Sequence, residues 1–277
     1  LDKNYWTDAS GQVHEANMVK LEEQRGTPIF SNGREQFYNL SVSGGTDALQ
    51  YFLSGSGRFN EGVTPDNEGE RYNTQLNLSL APSSKLKISA NSGIVVSRMR
   101  LPMQGNSGVL PSLQRGSPST LDGPRRGWQT APPETLYEAY EFNHDVNRVT
   151  AGVTVEHATT EWFTQRLVGG MDFTDQEVSY YTPRLGEWDA QFFSPEFAAG
   201  SKEMEREDVL YTSLEYQGTG TFDLNENVTS NTSGGFQIYR KSLRFMEAEG
   251  QGFPATGVKS IAGAGTYQRG RDDFLEN

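Results

Sequence analysis

Tyr38, Leu40 and Val42 are separated by Asn39, Ser41 and Ser43, and this strict alternation returns along much of the chain. Leu76, Leu78 and Leu80 alternate with Gln75, Asn77 and Ser79. Leu86, Ile88, Ala90, Ile94 and Val96 fall on one side of their segment; Lys87, Ser89, Asn91 and Ser97 fall on the other, with Val95 the exception. Val149, Ala151, Val153 and Val155 oppose Thr150, Thr154 and Glu156. Successive side chains of a strand point to opposite faces, so each segment predicts a strand with one apolar and one polar face. About eight strands are expected, near 36–44, 48–60, 70–81, 86–99, 147–158, 162–174, 208–222 and 227–246. Most exceed the roughly 5–6 residues usual in globular sheets and reach the roughly 9–11 that cross a bilayer at a tilt.

The connections alternate between short and long. Short ones fall at Gly44–Asp47, Pro82–Lys85, Ala158–Glu161 and Asp223–Glu226; long ones run near 60–70, 100–146, 175–207 and from 247 onward. A soluble sandwich has no reason to keep every second loop short, whereas a bacterial outer-membrane barrel has short periplasmic turns and long extracellular loops. Thr46, Ser83, Thr160 and Asn225 are therefore expected on the periplasmic side. Tyr51, Trp162, Phe163 and Phe222 lie near the short turns, and Phe59, Tyr72, Phe173 and Tyr211 near the long loops, as two interfacial girdles would. Residues 101–133 hold six prolines and predict little regular structure, 134–145 predicts a short helix, and the first 35 residues have no clean period.

Composition narrows the choice. The 277 residues are 34% hydrophobic with a mean hydropathy of −0.65, and the longest aliphatic run is Ile94-Val95-Val96. Helical spans, which need roughly 20 apolar residues, are excluded; a barrel is not, because its strands meet lipid with every second residue only. A net charge of −12 without any basic block disfavours nucleic acid as a partner. With no cysteine there is no disulfide framework and no thiolate chemistry. The segment Leu1–Trp6 has neither an initiator Met nor the basic and apolar regions of a leader, so the expectation is a removed leader or a chain that begins mid-protein.

No catalytic residue, metal site or cofactor is expected. His14, His144 and His157 lack HExxH or HxH spacing, no G-x-S-x-G or Walker sequence occurs, and Gly44-Gly45 sits in a hairpin turn rather than before a helix. The acidic groups Asp66/Glu68 and Glu203/Glu205/Glu207/Asp208 read as solvated loop surface rather than paired catalytic carboxylates. The polar faces carry Asn39, Ser41, Gln75, Asn77, Lys87, Asn91, Arg166 and Asp172, a wettable wall suited to a barrel lumen. Tyr180, Tyr181, Arg184 and Trp188 are the leading candidates for ligand contact, followed by Trp128, because aromatic faces stack on sugar rings and Arg bonds hydroxyls or peptide termini. The alternative role for these aromatics is to pack the loop against the rim.

Residues 36–99 also carry a resemblance. Tyr38-Asn-Leu-Ser-Val-Ser-Gly-Gly-Thr, Tyr51-Phe-Leu-Ser-Gly-Ser-Gly-Arg-Phe-Asn-Glu-Gly, Arg71-Tyr-Asn-Thr-Gln-Leu-Asn-Leu-Ser-Leu and Leu86-Lys-Ile-Ser-Ala-Asn resemble the first barrel hairpins of SusC/RagA-type TonB-dependent transporters. Tyr5-Trp6-Thr7-Asp8 resembles that family's Trp-containing segment between plug and barrel. The specific part covers about a quarter of the chain; residues 147–245 match only in architecture. The resemblance implies a partial up-and-down antiparallel barrel, about the first third of a roughly 22-stranded one, in outer-membrane lipid. It further implies energy from TonB, a SusD-like surface lipoprotein partner, and a glycan or peptide ligand. The expected organisation is a plug-to-barrel linker over 1–35, barrel strands over 36–246 and the start of a further extracellular loop over 247–277. The rival readings are a soluble extracellular β-sheet binding module or adhesin, which would bury its apolar face under a second sheet, and a diffusion porin, which has no plug linker.

Overall fold

The computed structural model describes residues 4–7, 9–103 and 105–276. A small antiparallel ribbon comes first, β1 (Asn4–Thr7) paired with β2 (Val13–Ala16). Helix α1 (Met18–Arg25) follows; the Asn17 side chain accepts the Lys20 N–H at its start, and Gly26 ends it in the left-handed conformation.

The rest is built on one nine-stranded sheet in which every strand pairs antiparallel with its sequence neighbour. Its strands are β3 (Arg34–Gly45), β4 (Leu49–Glu61), β5 (Glu68–Ser83), β6 (Leu86–Leu101), β7 (Glu141–Ala158), β8 (Phe163–Thr182), β9 (Ser201–Asn225), β10 (Val228–Gln251) and β11 (Tyr267–Glu276). Short helices interrupt the long connections: α2 (Val109–Gln114) and α3 (Pro133–Glu138) between β6 and β7, and α4 (Glu187–Ala190) and α5 (Pro195–Ala198) between β8 and β9. The sheet is open, with β3 and β11 at its edges.

Short polar side chains close the tight turns. The Thr46 hydroxyl accepts from the Ala48 and Leu49 N–H groups, Ser83 Oγ from Lys85 N–H, and Asn225 Oδ1 from Asn227 N–H. Gly45 has φ +146°, and a Cβ there would collide with the Leu49 carbonyl, which is why Ser-Gly-Gly precedes this turn. Thr46, Ser83, Thr160 and Asn225 thus gather at one end of the sheet, and the long connections gather at the other.

The eight expected strands are all present, but most run past their predicted boundaries. β7 begins at 141, so the helix expected over 134–145 is confined to 133–138; β8 runs on to 182 and β9 starts at 201, which shrinks the loop expected over 175–207. The connection expected over 60–70 is only 62–67. The reason is shared: past the apolar rows charged and polar residues occur on both faces of these strands, as in Asp175-Gln176-Glu177, so alternation ceases while pairing continues. A ninth strand, β11, pairs with Ser242–Gln251 where 247–277 was expected to be loop. Residues 1–35 are also more than a linker. Where described, they form β1, β2 and α1, reach β3 at the long-connection end, and share a core with the β6–β7 connection; Asp8 lies outside the described residues.

That core contains Met18, Ile29, Val109, Leu113, Trp128, Leu136, Tyr137 and Phe192, drawn from the N-terminal segment and from the β6–β7 and β8–β9 connections. These three segments therefore fold together as a cap over the long-connection end.

Candidate functional site

Register assigns the faces. One row crosses the sheet as Ser41, Ser54, Gln75, Gly93, Thr150, Asp172, Tyr211 and Lys241. The next runs Ser43, Phe52, Asn77, Asn91, Gly152, Gly170, Ser213 and Tyr239. Asn39 lies in the row on the far side, and Lys87 and Arg166 flank Glu156 nearer the turns. All eight polar-wall residues expected from sequence therefore share one face. Hydrogen bonds and ion pairs fix Asp172, Arg166 and some of their neighbours on this face. Arg148 grips Asp172 with two donors at 2.9 and 2.5 Å, Arg166 reaches Glu156 at 3.7 Å and Glu215 at 3.5 Å, and Asn73 donates to Ser56 Oγ at 3.2 Å.

The opposite face is apolar. Val42, Leu53, Leu76, Ala151 and Met171 lie in one row, and Tyr51, Leu78, Ala90, Val153, Leu214 and Ile238 in the next. Nothing covers it among the described residues: Leu40 is 80% exposed and Ile238 59%. Aromatic clusters bound this band. At the turn end Trp162 touches Phe163 (5.6 Å) and Phe222 (5.4 Å), with Tyr51 at the same level; at the other end Phe59 meets Tyr72 edge-on at 5.5 Å. Tyr51 and Phe59 are eight residues apart on β4, or roughly 26 Å along the strand at about 3.3 Å per residue. Tilted, that becomes roughly 20 Å of height, close to the apolar band of about 25 Å on outer-membrane barrels. Tyr211 does not join the upper girdle; it lies on the polar face with the Lys241 ammonium 5.3 Å from its ring centre.

The ligand-contact candidates separate into two groups. Tyr181 is 3% exposed, packs on Phe253 at 5.9 Å, and donates its phenol proton to the Val258 carbonyl at 3.0 Å; Arg184 donates to the Phe253 carbonyl at 2.9 Å. Both tether the β10–β11 connection. Trp128 is 1% exposed inside the cap. For Tyr181 and Trp128 the packing role holds, and their rings offer no free face. Trp188 is 61% exposed on α4, with Phe192 edge-on at 6.0 Å. Tyr180 sits on the polar face and tilts against Phe142 at 5.0 Å.

Sequence reasoning missed Glu22. It lies on a helix that reads as a solvated Glu-Glu-Gln-Arg stretch, yet its carboxylate is fully buried. It accepts from Arg25 at 2.8 Å, Trp128 Nε1 at 3.2 Å and Thr27 Oγ1 at 2.6 Å, and pairs with Arg126 at 3.1 Å. A buried carboxylate needs such a set of donors. Tyr137 fixes the same cap by donating to the Ile29 carbonyl at 3.0 Å; burial and the nearby Asp66 charge push its phenol up to about 12. Above the girdle, on the polar face, Glu203 opposes Glu249 and Glu205 opposes Glu247 across β9 and β10. Partial burial, then the neighbouring carboxylates Glu205, Glu249 and Glu247, hold Glu203 above the usual carboxylate range. Among the described residues no group of His, Cys, Asp and Glu is arranged to hold a metal ion.

A meandering antiparallel sheet with one polar and one uncovered apolar face, long connections at one end and tight turns at the other, is an open sector of an up-and-down β-barrel. Solved TonB-dependent barrels share the fold. The chain superposes on the RagAB peptide importer in its 'closed-closed' state with a TM-score of 0.70 at 15% identity, covering 95% of this chain. A further RagAB peptide transporter structure gives 0.71 at 15% identity and 95% coverage, and the 'open-open' state of the importer gives 0.66 at 16% and 87%. The chain spans about 30% of the length of the solved chains it matches. No family model matches the sequence, and comparison with curated proteins gives no match.

Proposed function

We propose that this chain is a wall sector of a TonB-dependent outer-membrane importer, with its apolar face against lipid and its polar face along the path of a glycan, peptide or similar nutrient. The observation that carries the reading is the bare apolar face bounded by two aromatic clusters, on a fold shared with peptide importers. A soluble β-sandwich would cover that face with a second sheet. Open edges at β3 and β11 are not tolerated in lipid, so in this reading further strands of the same protein close the barrel. Energy comes from TonB, and a surface lipoprotein of the SusD type meets the long-connection end. The wall does no bond-making chemistry; its Asn, Ser, Thr and paired charges keep a hydrated surface along which a polar solute exchanges hydrogen bonds.

This chain carries no cysteine of its own, so, with any elsewhere in the protein replaced, an introduced cysteine reports on one known position. In the intact protein, Asn77→Cys is expected to react with a bulky water-soluble maleimide and lose uptake of the imported nutrient. Leu78→Cys is expected to resist the reagent and to respond to a lipid-phase quencher. Equal labelling of both positions from water would overturn the reading in favour of a soluble module.

A further inference from the structure

The polar face changes character above the girdle. On β9, Glu203, Glu205 and Glu207 follow one another down this face. On the β8 side they stand opposite Tyr180, Val178 and Gln176, and beyond Tyr180 lies Phe142 of β7. On the β10 side they stand opposite Glu249, Glu247 and Phe245. An acidic strip therefore runs beside an apolar one, and each of these residues remains partly exposed. The basic residues of β11 do not offset the charge. Arg269 stands opposite Glu249 and Arg271 opposite Glu247; Arg269 pairs with Glu247, and Arg271 with Asp273 of its own strand. Glu203, Glu205 and Glu207 have no cation opposite them on either neighbouring strand, and among the described residues they form no ion pair. His144 of β7 shares the row of Glu205, and its Nε2 is buried with no hydrogen-bond partner. A buried polar atom left in that state lacks a contact that such atoms ordinarily make.

We propose that this face binds a basic peptide in extended form, an inference that rests on the reading of the polar face as a solute path. Alternate side chains of an extended chain are about 6.7 Å apart, the same step that separates successive carboxylates on β9. Lys or Arg at every second position of the peptide therefore meets Glu203, Glu205 and Glu207 in turn. The aliphatic stems lie on Tyr180 and Val178 while the charged heads reach the carboxylates. Incoming ammonium or guanidinium groups relieve the repulsion of Glu203 by Glu249 and of Glu205 by Glu247. A neutral glycan leaves that repulsion in place, and an acidic solute adds to it.

The test is fluorescence anisotropy of the intact protein in detergent with labelled peptides: Ala-Lys-Ala-Lys-Ala-Lys, its Gln and Glu counterparts, and the block Lys-Lys-Lys-Ala-Ala-Ala. The alternating Lys peptide is expected to bind roughly tenfold more tightly than the Gln peptide, and more tightly than the block. The pair Glu205→Gln/Glu207→Gln is expected to weaken it roughly tenfold, as loss of charge-assisted contacts would. Glu177→Gln, which removes a carboxylate opposite Arg206 on the other face, leaves it unchanged. Equal binding of the Lys and Gln peptides, equal binding of the alternating and block peptides, or an equal loss from Glu177→Gln overturns the proposal. Binding of none of them overturns it too; a Glu207→Cys variant that resists an aqueous thiol reagent then shows that another segment of the same protein covers the face. The labelling of Asn77→Cys against Leu78→Cys tests the path reading separately, and a protein that passes it while ignoring these peptides fails here alone.

Discussion

Trp128 donates its indole N–H to the carboxylate of Glu22, 3.2 Å away and 106 positions earlier in the chain. That contact ties the N-terminal segment to the β6–β7 connection, and two arginines and a threonine complete the set. Glu22→Ala would leave Arg126 and Trp128 facing a void without an acceptor. The expected loss is about 3–5 kcal/mol of cap stability, the range for breaking one side of a buried ion pair. Limited proteolysis within 115–130, together with the fluorescence of Trp128, reads this directly, while the sheet should keep its melting behaviour.

Tyr137 makes the cap sensitive to alkali. Its folded-state phenol lies at about 12 against an ordinary 10.0, so above pH 10 the folded cap retains a proton that the unfolded segment has released. Cap stability should be intact below pH 10 and fall as the pH rises through the window from 10 to about 12. Tyr137→Phe should remove that dependence at the expense of about 1 kcal/mol from the lost bond to Ile29. Alkaline titration followed by tryptophan fluorescence distinguishes the two proteins.

Leu76 and Gln75 are neighbours in the chain but belong to different faces. If the apolar face meets lipid, Leu76→Arg near mid-band should destabilise the folded protein in bilayers by roughly 2–4 kcal/mol, and Gln75→Arg should change little. Denaturant titration in vesicles gives both values; similar effects at the two sites would contradict the assignment of faces.

The opposed carboxylates of β9 and β10 predict a stabilising substitution. Glu203→Gln should firm the upper part of this hairpin by roughly 0.2–1 kcal/mol, the scale of a cross-strand charge pair, and more at low salt. Because the Glu203 carboxyl is held above its ordinary value, the unaltered hairpin should gain stability as pH falls through that raised value. Amide exchange across Glu203–Glu207 at several pH values would follow it, and the Gln variant should be flatter.

The two faces of the sheet were legible because each strand changes chemistry at every residue, from Leu76 through Asn77 to Leu78, and the turns because Gly45, Thr46 and Asn225 have few other uses. Legibility ends where that contrast does. Glu203 to Asp208 is charged on both faces, and Arg269 to Asp273 of β11 likewise, so pairing there follows from the strands alongside and not from local pattern. The cap was opaque for a different reason. Its core joins residues more than a hundred positions apart, and nothing local separates the buried Glu22 from the exposed Glu23 beside it. Tyr181 and Trp128 show the same limit: an aromatic in a loop has one composition whether it greets a ligand or pins the loop down.

The strands do not lengthen evenly. β3 has 12 residues and β4 has 13, whereas β9 has 25 and β10 has 24. The surplus is about a dozen residues of hydrogen-bonded ladder, roughly 40 Å of strand at about 3.3 Å per residue. A loop of that length would lose much of its motional freedom on meeting a large solute. A hydrogen-bonded ladder has already lost it during folding, so the longer strands hold one shape whether or not a solute is present.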